Sequence, residues 1–261
     1  VLAAGCMDGS VKLVYYGEYD APKVGKDRIL KSELEIKHGK YVKSISWSPS
    51  QPILASASAD GTMQLTRVVL DSENTASLEV IKSMHFDGAV ESMCFFDNGN
   101  TICCYVRGTS YLSYFDMNDG FKQRKMSLNG PGCFNDHVSF AVLSLVPSPN
   151  GKYLAAATDS SRNIILEAGT DRIVRNLYGH KNDEFSTPKI AWSRNSQYLF
   201  GNSQDENHIC WDMASSSIVK RFDESAGGHC GFVRDIYSSG NTDTVATVSF
   251  DKTAKIWLCA M

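Results

Sequence analysis

The sequence predicts an all-β fold in which one small antiparallel unit recurs along the chain. In Gly228–Trp257, three short runs of β-forming residues are separated by polar turns, a pattern typical of an antiparallel meander. One tight turn recurs throughout, and its aligned positions, 45 to 53 residues apart, are Asp8, Asp60, Arg107, Ser160, Asp205 and Asp251. Because four-stranded propeller blades repeat at about 40–45 residues, we expect a β-propeller of four-stranded antiparallel blades.

The repeats place the whole chain, residues 1–261, in one propeller domain. Their expected boundaries are roughly 1–16, which is partial, 30–70, 77–117, 121–168, 172–213 and 217–258. The chain opens with Val1 rather than Met, and the first repeat supplies only two strands. We therefore expect a piece of a longer protein, with six or seven blades and an incomplete first blade.

Each later repeat has its own strand signals. The second and third begin with apolar alternating runs at Val42–Ser50 and Val90–Phe96. The fourth contains a strand, a turn and a strand within Val138–Ser161, and the fifth and sixth open at Gly179–His180 and Gly228–His229. Outer strands are expected at Ser77–Met84 and Phe121–Leu128, and the alternation throughout favours strands over helices.

Composition and charge narrow the class of protein. The chain is 43% hydrophobic and 21% charged, and its formal net charge is -3, so no broad basic field predicts direct binding to nucleic acid. No apolar run approaches the roughly 18 residues that span a membrane. The eight cysteines include no C-x-x-C pair, and such cysteines are typical of a reducing compartment. We expect an intracellular protein, cytoplasmic and/or nuclear, without a membrane partner.

The recurring polar residues can form one hydrogen-bond chain. Two repeats have the full set of His, Ser, Asp and Trp, and a third lacks only the Trp, which Thr66 replaces; the sets are His180, Ser203, Asp205 and Trp211; His229, Ser249, Asp251 and Trp257; and His38, Ser58 and Asp60. An indole N–H donates a hydrogen bond, a hydroxyl or an imidazole can both donate and accept one, and a carboxylate only accepts. A line from Trp to Ser to His to Asp is therefore satisfied at every step.

This pattern resembles the WD-repeat (WD40) family of β-propellers over nearly the whole chain. The resemblance implies that the polar line ties the inner strands of a blade to the loop that leads into it. A Ser, a His and an Asp also occur in hydrolase triads, but this set recurs at turn positions and the chain has no G-x-S-x-G motif. His137 and His208 lack metal-like partners. We predict no catalytic residue, cofactor, metal site or small-molecule substrate.

The resemblance also implies where partners bind. In the family, the loops that lead into the blades and the tight turns gather on one face, where aromatic and arginine side chains are common interface anchors. The candidate partner-binding residues there are Tyr41, Lys43, Glu91, Arg107, Phe185, Lys189, Phe232, Arg234 and Phe250. The alternative is that they pack between blades or stay idle at the surface. Arg107, which replaces an Asp, indicates either a binding residue or a decayed repeat.

Three functions are consistent with the sequence. The favoured one is a non-catalytic scaffold that binds other proteins or peptides within a multiprotein complex. A second is a substrate receptor of a ubiquitin ligase, although Met213 and Ala214 follow Trp211–Asp212 where the cullin-linked subset has an Arg. A third is a subunit of a chromatin or RNA-processing complex, since the loop in the fifth repeat resembles that of a chromatin-associated propeller.

Overall fold

The chain folds into six antiparallel sheets. The computed structural model describes residues 2–15, 32–70, 76–130, 137–183, 185–205 and 207–258. Within these ranges four sheets have four strands and two have three. The first three sheets are formed by β1 (Leu2–Gly5), β2 (Ser10–Tyr15) and β3 (Ser32–Lys37); β4 (Val42–Trp47), β5 (Ile53–Ser58), β6 (Thr62–Leu70) and β7 (Ala76–His85); and β8 (Val90–Phe96), β9 (Thr101–Val106), β10 (Tyr111–Asp116) and β11 (Lys122–Ser127).

The other three sheets follow the same plan. They are formed by β12 (Val142–Pro147), β13 (Tyr153–Thr158), β14 (Asn163–Glu167) and β15 (Ile173–Leu177); β16 (Ile190–Trp192), β17 (Tyr198–Asn202), β18 (His208–Asp212) and β19 (Ile218–Phe222); and β20 (Val233–Ser238), β21 (Thr244–Ser249) and β22 (Ala254–Leu258). Two short 3-10 turns occupy Asp97–Gly99 and Glu224–Ala226. None of the helices in the described ranges has the length and apolar character needed to cross a membrane.

The sheets are the blades of a β-propeller. Strand order follows chain order in every sheet, so each sheet is a meander. The first strands of five successive sheets, β4, β8, β12, β16 and β20, contact one another in that order and line a central channel with a volume of about 820 Å³. The predicted all-β propeller fold is therefore confirmed.

The sheets are offset by one strand from the sequence repeats. Ser77–Met84, at the start of the third sequence repeat, lies in β7 and pairs with β6 at the outer edge of the second sheet. In the same way Ser32–Lys37 pairs with β2 and completes the first sheet. Each outer strand follows the third strand along the chain, and adjacent antiparallel strands tend to pair. The strand at 217–222 thus belongs to the fifth sheet, and the sixth has three strands.

The apolar core lies between the faces of neighbouring blades. Between the second and third sheets, for example, Ala55, Ala57 and Leu65 pack against Val90 and Ile102. Every residue of β5 and β9 is buried, which explains why these strands are rich in small residues, Ala, Ser and Cys. Of the described cysteines, Cys94, Cys103, Cys104 and Cys210 are buried, Cys6 is half-buried and Cys230 is exposed. Cys133 and Cys259 lie outside the described residues.

The tight turns between the second and third strands of a blade are built by an aspartate. Asp60 Oδ1 accepts hydrogen bonds from the Thr62 N–H at 2.8 Å and its hydroxyl at 2.6 Å. Asp8 and Asp251 make the same two contacts to the residue two positions on. Gly61 has a φ of +85°, and a Cβ there would lie 2.5 Å from the Phe86 carbonyl, so the position requires glycine.

Candidate partner-binding face

The loops that lead into the blades meet the tight turns on one side of the propeller, here named the loop face. In the second sheet, Gly39 N–H in the incoming loop donates to Asp60 Oδ2 in the turn. In the sixth, Cys230 N–H donates to Asp251 Oδ2 at 3.2 Å. These contacts fix the loops, so side chains near the start of each inner strand are presented on a rigid surface.

β-bulges explain why charged residues occupy the inner strands at this face. The register shifts between residues 42 and 44, 90 and 92, 142 and 144, and 233 and 235. The residues at the bulges are Lys43, Glu91, Leu143 and Arg234. A bulge leaves one residue unpaired and re-aims its side chain. The sequence analysis selected the three charged residues as candidate partner-binding residues. It did not select Leu143, which is half-buried and uncharged.

Three phenylalanines surround one cavity between the fifth and sixth blades. Phe185 lies in the loop leading into β16, Phe232 in the loop leading into β20, and Phe250 in the turn after β21. Their exposed fractions are 82%, 42% and 63%. They line a cavity of about 190 Å³ together with Asn182, Ser186, Thr187, Asn202, Ser203, Gln204, Val233 and Arg234. We name this site the aromatic cup.

Arg234 is fixed at the rim of the aromatic cup. Its guanidinium lies 4.8 Å from the centre of the Phe250 ring, and its Nη1 donates to Thr187 Oγ1 at 2.9 Å. The contact with Thr187 joins the sixth blade to the fifth, and the two contacts together limit the rotamers of the long side chain. Phe185, Phe232, Arg234 and Phe250, which come from three separate segments of the chain, thus meet in one place.

Glu91 is buried between two cations at the junction of the second and third blades. Its side chain is 2% exposed, and its oxygens lie 2.9 Å from Lys43 Nζ and 2.5 Å from Arg107 Nε. Lys43 Nζ also lies 5.0 Å from the centre of the Tyr41 ring. The Glu91 carboxylate raises the pKa of Arg107. Arg107, which replaces the turn aspartate, is thus an ion-pair partner of the neighbouring inner strand.

We expect Glu91→Gln to lower the free energy of unfolding by about 2 kcal/mol. Removing one partner of a buried ion pair costs about 3–5 kcal/mol and an exposed pair contributes about 0–1 kcal/mol, and here the anion is buried while both cations reach solvent. Urea unfolding measures the change. Glu79→Gln is the matched control, because Glu79 forms a solvent-exposed ion pair with Arg67 at 2.9 Å. Equal effects of the two substitutions would contradict the assignment.

Lys189 lies apart from the aromatic cup, on the wall of the central channel. It directly precedes β16 and lines the channel together with Asp235 of the adjacent inner strand. Its backbone is fixed by a hydrogen bond from its N–H to Asn202 Oδ1 at 2.8 Å. The sequence analysis did not identify Asp235 as a channel-lining residue. The feature that could have indicated it is its position directly after Arg234, the residue at the bulge.

The polar network of the sixth blade uses a different hydroxyl from the one expected. His229 Nδ1 lies 2.8 Å from Asp251 Oδ2, and Nε2 lies 2.8 Å from Thr247 Oγ1. Trp257 Nε1 donates to the same Thr247 oxygen at 2.9 Å. Because a carboxylate only accepts, Nδ1 donates to Asp251 and Nε2 accepts from Thr247. Ser249 instead donates to the Gly231 carbonyl at 2.9 Å.

The second blade repeats the contact between the histidine and a strand hydroxyl, without a tryptophan and with Thr62 in place of the aspartate as the Nδ1 partner. His38 Nε2 lies 2.8 Å from Ser56 Oγ and Nδ1 lies 2.6 Å from Thr62 Oγ1, while Ser58 Oγ donates to the Lys40 carbonyl. Burial alone would raise the pKa of Asp60, but hydrogen bonds from Thr62, Gly39 and Ser58 outweigh it and lower the pKa to about 2. In both blades the hydroxyl partner is 18 residues after the histidine, a spacing that the sequence itself contains.

In the fifth blade the network is broken by a glycine. Gly201 occupies the position of Thr247, and a Cβ there would lie 3.0 Å from the Trp211 ring. The indole fills that space and donates its Nε1–H to the Tyr178 carbonyl at 2.8 Å. His180 packs edge-on against Trp211, and both of its buried ring nitrogens lack a hydrogen-bond partner. Ser203 Oγ accepts a hydrogen bond from the Lys181 N–H at 2.9 Å.

Within the described ranges, no group of three or more His, Cys, Asp or Glu residues is arranged to hold a metal ion. His208 packs against Phe222 with ring centroids 4.2 Å apart. The buried or half-buried histidines thus lie among aromatic rings, hydroxyls or a turn carboxylate: His38, His180, His208 and His229. These contacts are structural in kind.

Successive meander sheets with fixed loops on one face define the β-propeller class of protein. The family model of the WD domain, G-beta repeat, matches residues 31–66, 131–165 and 219–257. Three stretches of the chain thus match WD repeats, as the sequence pattern predicts.

The chain is also similar to individually named proteins of three organisms. It is 24% identical over 203 residues, 76% of its length, to "WD repeat-containing protein 1" of Xenopus tropicalis. It is 29% identical over 143 residues to "Protein hir1" of Schizosaccharomyces pombe and 28% identical over 147 residues to "Protein HIR1" of Candida albicans, which covers 48% and 50% of the chain. The matched regions are 30%, 14% and 15% of these relatives' own lengths.

Proposed function

We propose that this chain is a non-catalytic scaffold subunit of a multiprotein complex that binds a peptide or partner domain at the aromatic cup. The observation that carries the proposal is the convergence of Phe185, Phe232 and Phe250 from three separate loops around one cavity. Single exposed apolar residues are ordinary, but a contiguous exposed apolar patch marks an interaction site. The names of the relatives denote no enzyme.

The size of the cavity favours a single side chain of a partner as its occupant. Small-molecule sites usually measure about 300–1,000 Å³, and the aromatic cup measures about 190 Å³. The rim consists of amide, hydroxyl and guanidinium groups, which can bond a peptide backbone. A buried apolar centre with a polar rim is the usual anatomy of an interface.

The site is preorganised, which lowers the entropic cost of binding. The Phe250 N–H donates a hydrogen bond to the Phe232 carbonyl at 3.0 Å, and the Phe185 N–H donates to Asp183 Oδ1 at 3.0 Å. We also propose an intracellular setting, cytoplasmic and/or nuclear, which the buried thiols of Cys94, Cys103 and Cys104 support.

The experiment is a quantitative pull-down with the full chain and its Phe185→Ala, Phe232→Ala, Phe250→Ala triple variant. Because anchor residues each contribute about 2 kcal/mol or more, we expect at least about tenfold lower recovery of specific partners. The matched control is Tyr178→Ala, an aromatic residue that is 57% exposed outside the cup. Equal recovery by the correctly folded triple variant and the control would contradict the proposal, as would turnover of a small molecule.

A further inference from the structure

We propose that the aromatic cup recognises an acidic peptide in which an apolar side chain enters the cavity and an adjacent carboxylate pairs with Arg234. This inference rests on the proposed function, because it names the chemistry of the partner at the same site. It follows from the charges around the cup rather than from its apolar surface. An apolar surface alone would accept a side chain next to any charge.

Arg234 is the one charged residue among the described residues that line the cavity. The other polar lining groups are the amides and hydroxyls of Asn182, Ser186, Thr187, Asn202, Ser203 and Gln204. A guanidinium has five N–H donors in a rigid fork, and this fork matches the two oxygens of a carboxylate. The structure assigns one Arg234 donor to Thr187, and the side chain is exposed.

Two aspartates next to the lining residues are held within the loops. Asp183 accepts hydrogen bonds from Phe185 N–H and the Ser186 hydroxyl, which hold its pKa low against the opposing effect of burial. Asp251 accepts from His229, Cys230 and Thr253. These carboxylates keep their charge but are oriented by the loops, and the charged group that lines the cavity is Arg234.

A second cationic cluster lies elsewhere on the loop face. Lys43 and Arg107 share the single carboxylate of Glu91, so that cluster keeps one positive charge in excess. At the cup itself the sequence neighbours of the lining residues carry both signs, and the cation that lines the cavity is Arg234. A cation at an interface favours acidic partners over basic ones.

A lysine or methylated lysine is the main alternative occupant, because cations bind aromatic faces. In the aromatic cup, however, the face of Phe250 is already occupied by the guanidinium of Arg234 at 4.8 Å. A second cation would be placed beside the first and would be repelled. The same arrangement attracts a carboxylate, since a group that pairs with Arg234 leaves the cation–π contact intact.

The test is selection of a random displayed peptide library against the full chain, followed by binding measurements on synthetic peptides. We expect enrichment of peptides with a Phe, Leu or Trp next to Glu or Asp. Replacing that Glu by Gln should weaken binding by about tenfold, and binding should weaken further in high salt. Arg234→Glu should reverse the preference toward peptides with Lys or Arg beside the apolar residue.

Arg162→Glu is the matched control. Arg162 lies on a tight turn of the fourth blade and its guanidinium lies 4.7 Å from the Phe140 ring, so the substitution makes the same charge change over a similar ring. It should leave the acidic preference in place. Peptides that require the three phenylalanines but show no acidic preference would overturn this inference alone. Enrichment that is unaffected by the triple phenylalanine variant, or no enrichment, would overturn the proposed function as well.

Discussion

We expect His229→Ala to lower the free energy of unfolding by about 3 kcal/mol. The imidazole is 1% exposed and bridges Asp251 to Thr247, so its removal leaves the threonine hydroxyl without an acceptor. A buried polar group that loses its partner costs about 1–3 kcal/mol, and the cavity left behind adds to this cost. Against a typical total stability of about 5–15 kcal/mol, the sixth blade should loosen measurably.

Urea unfolding followed by tryptophan fluorescence measures this change, because Trp257 is a member of the network. The matched control is His85→Ala. His85 occupies the corresponding position of the third sequence repeat but is exposed, so we expect a change within about 0.5 kcal/mol. A His229→Ala protein as stable as the His85→Ala protein would contradict the network.

Two further substitutions separate the observed network from the one that the sequence predicts. Thr247→Val keeps the shape of the side chain but leaves Trp257 Nε1 and His229 Nε2 without their shared hydroxyl. Ser249→Ala removes only the bonds to the Gly231 carbonyl and the Asp251 N–H. We expect Thr247→Val to cost more. The reverse order would favour Ser249 as the network hydroxyl.

The sequence predicted the repeat, the all-β fold and the aspartate turns because each of these depends on local spacing. It could not choose between Thr247 and Ser249. Both carry a hydroxyl, and residues two apart in a strand point to the same face, so only their distances from His229 distinguish them. In the fifth blade Gly201 breaks the network because it has no side-chain hydroxyl, and the Trp211 ring fills the space.

The candidate site was predictable in part because charged and aromatic residues stand out in short apolar runs. Phe185, Phe232, Arg234 and Phe250 are such residues, and the structure brings them together across two blades. The sequence did not reveal that Arg107 pairs with Glu91, since the two residues come together only through the pairing of β8 and β9. Nor did it show that Lys189 faces the channel, which depends on the curvature of the ring.

Lowering the pH from 7 to 4 should remove on the order of 5 kcal/mol of stability through two buried imidazoles. Burial lowers the pKa of His180 to about 4, with Asp205 opposing and Arg221 assisting. Burial, His229 and Lys255 lower the pKa of His208 to about 3. All four ring nitrogens lack partners in the structure, so the fold accommodates only the neutral rings.

The sign follows from where each state binds protons. In the unfolded chain a histidine titrates near pH 6.5, whereas in the folded protein these two remain neutral until about pH 4 and 3. The unfolded state therefore binds more protons below pH 6.5, and stability falls as pH falls. It is fully present above pH 6.5. The Asp60 carboxylate, with a pKa of about 2, contributes a separate loss at lower pH.

His208→Phe isolates one imidazole without removing a hydrogen bond. His208 stacks on Phe222 at an interplanar angle of 6°, and a phenyl ring of similar shape can keep that contact. Each pKa unit corresponds to about 1.4 kcal/mol. Between pH 6.5 and 4 the free energy of unfolding of the variant should therefore fall by roughly half as much as that of the parent, while the two proteins are equally stable at pH 7. Urea unfolding across this pH range is the measurement, and His85→Gln, an exposed histidine, should leave the profile unchanged. An unaltered slope in His208→Phe would show that this ring is protonated in the folded state, and its neutral burial would then be wrong.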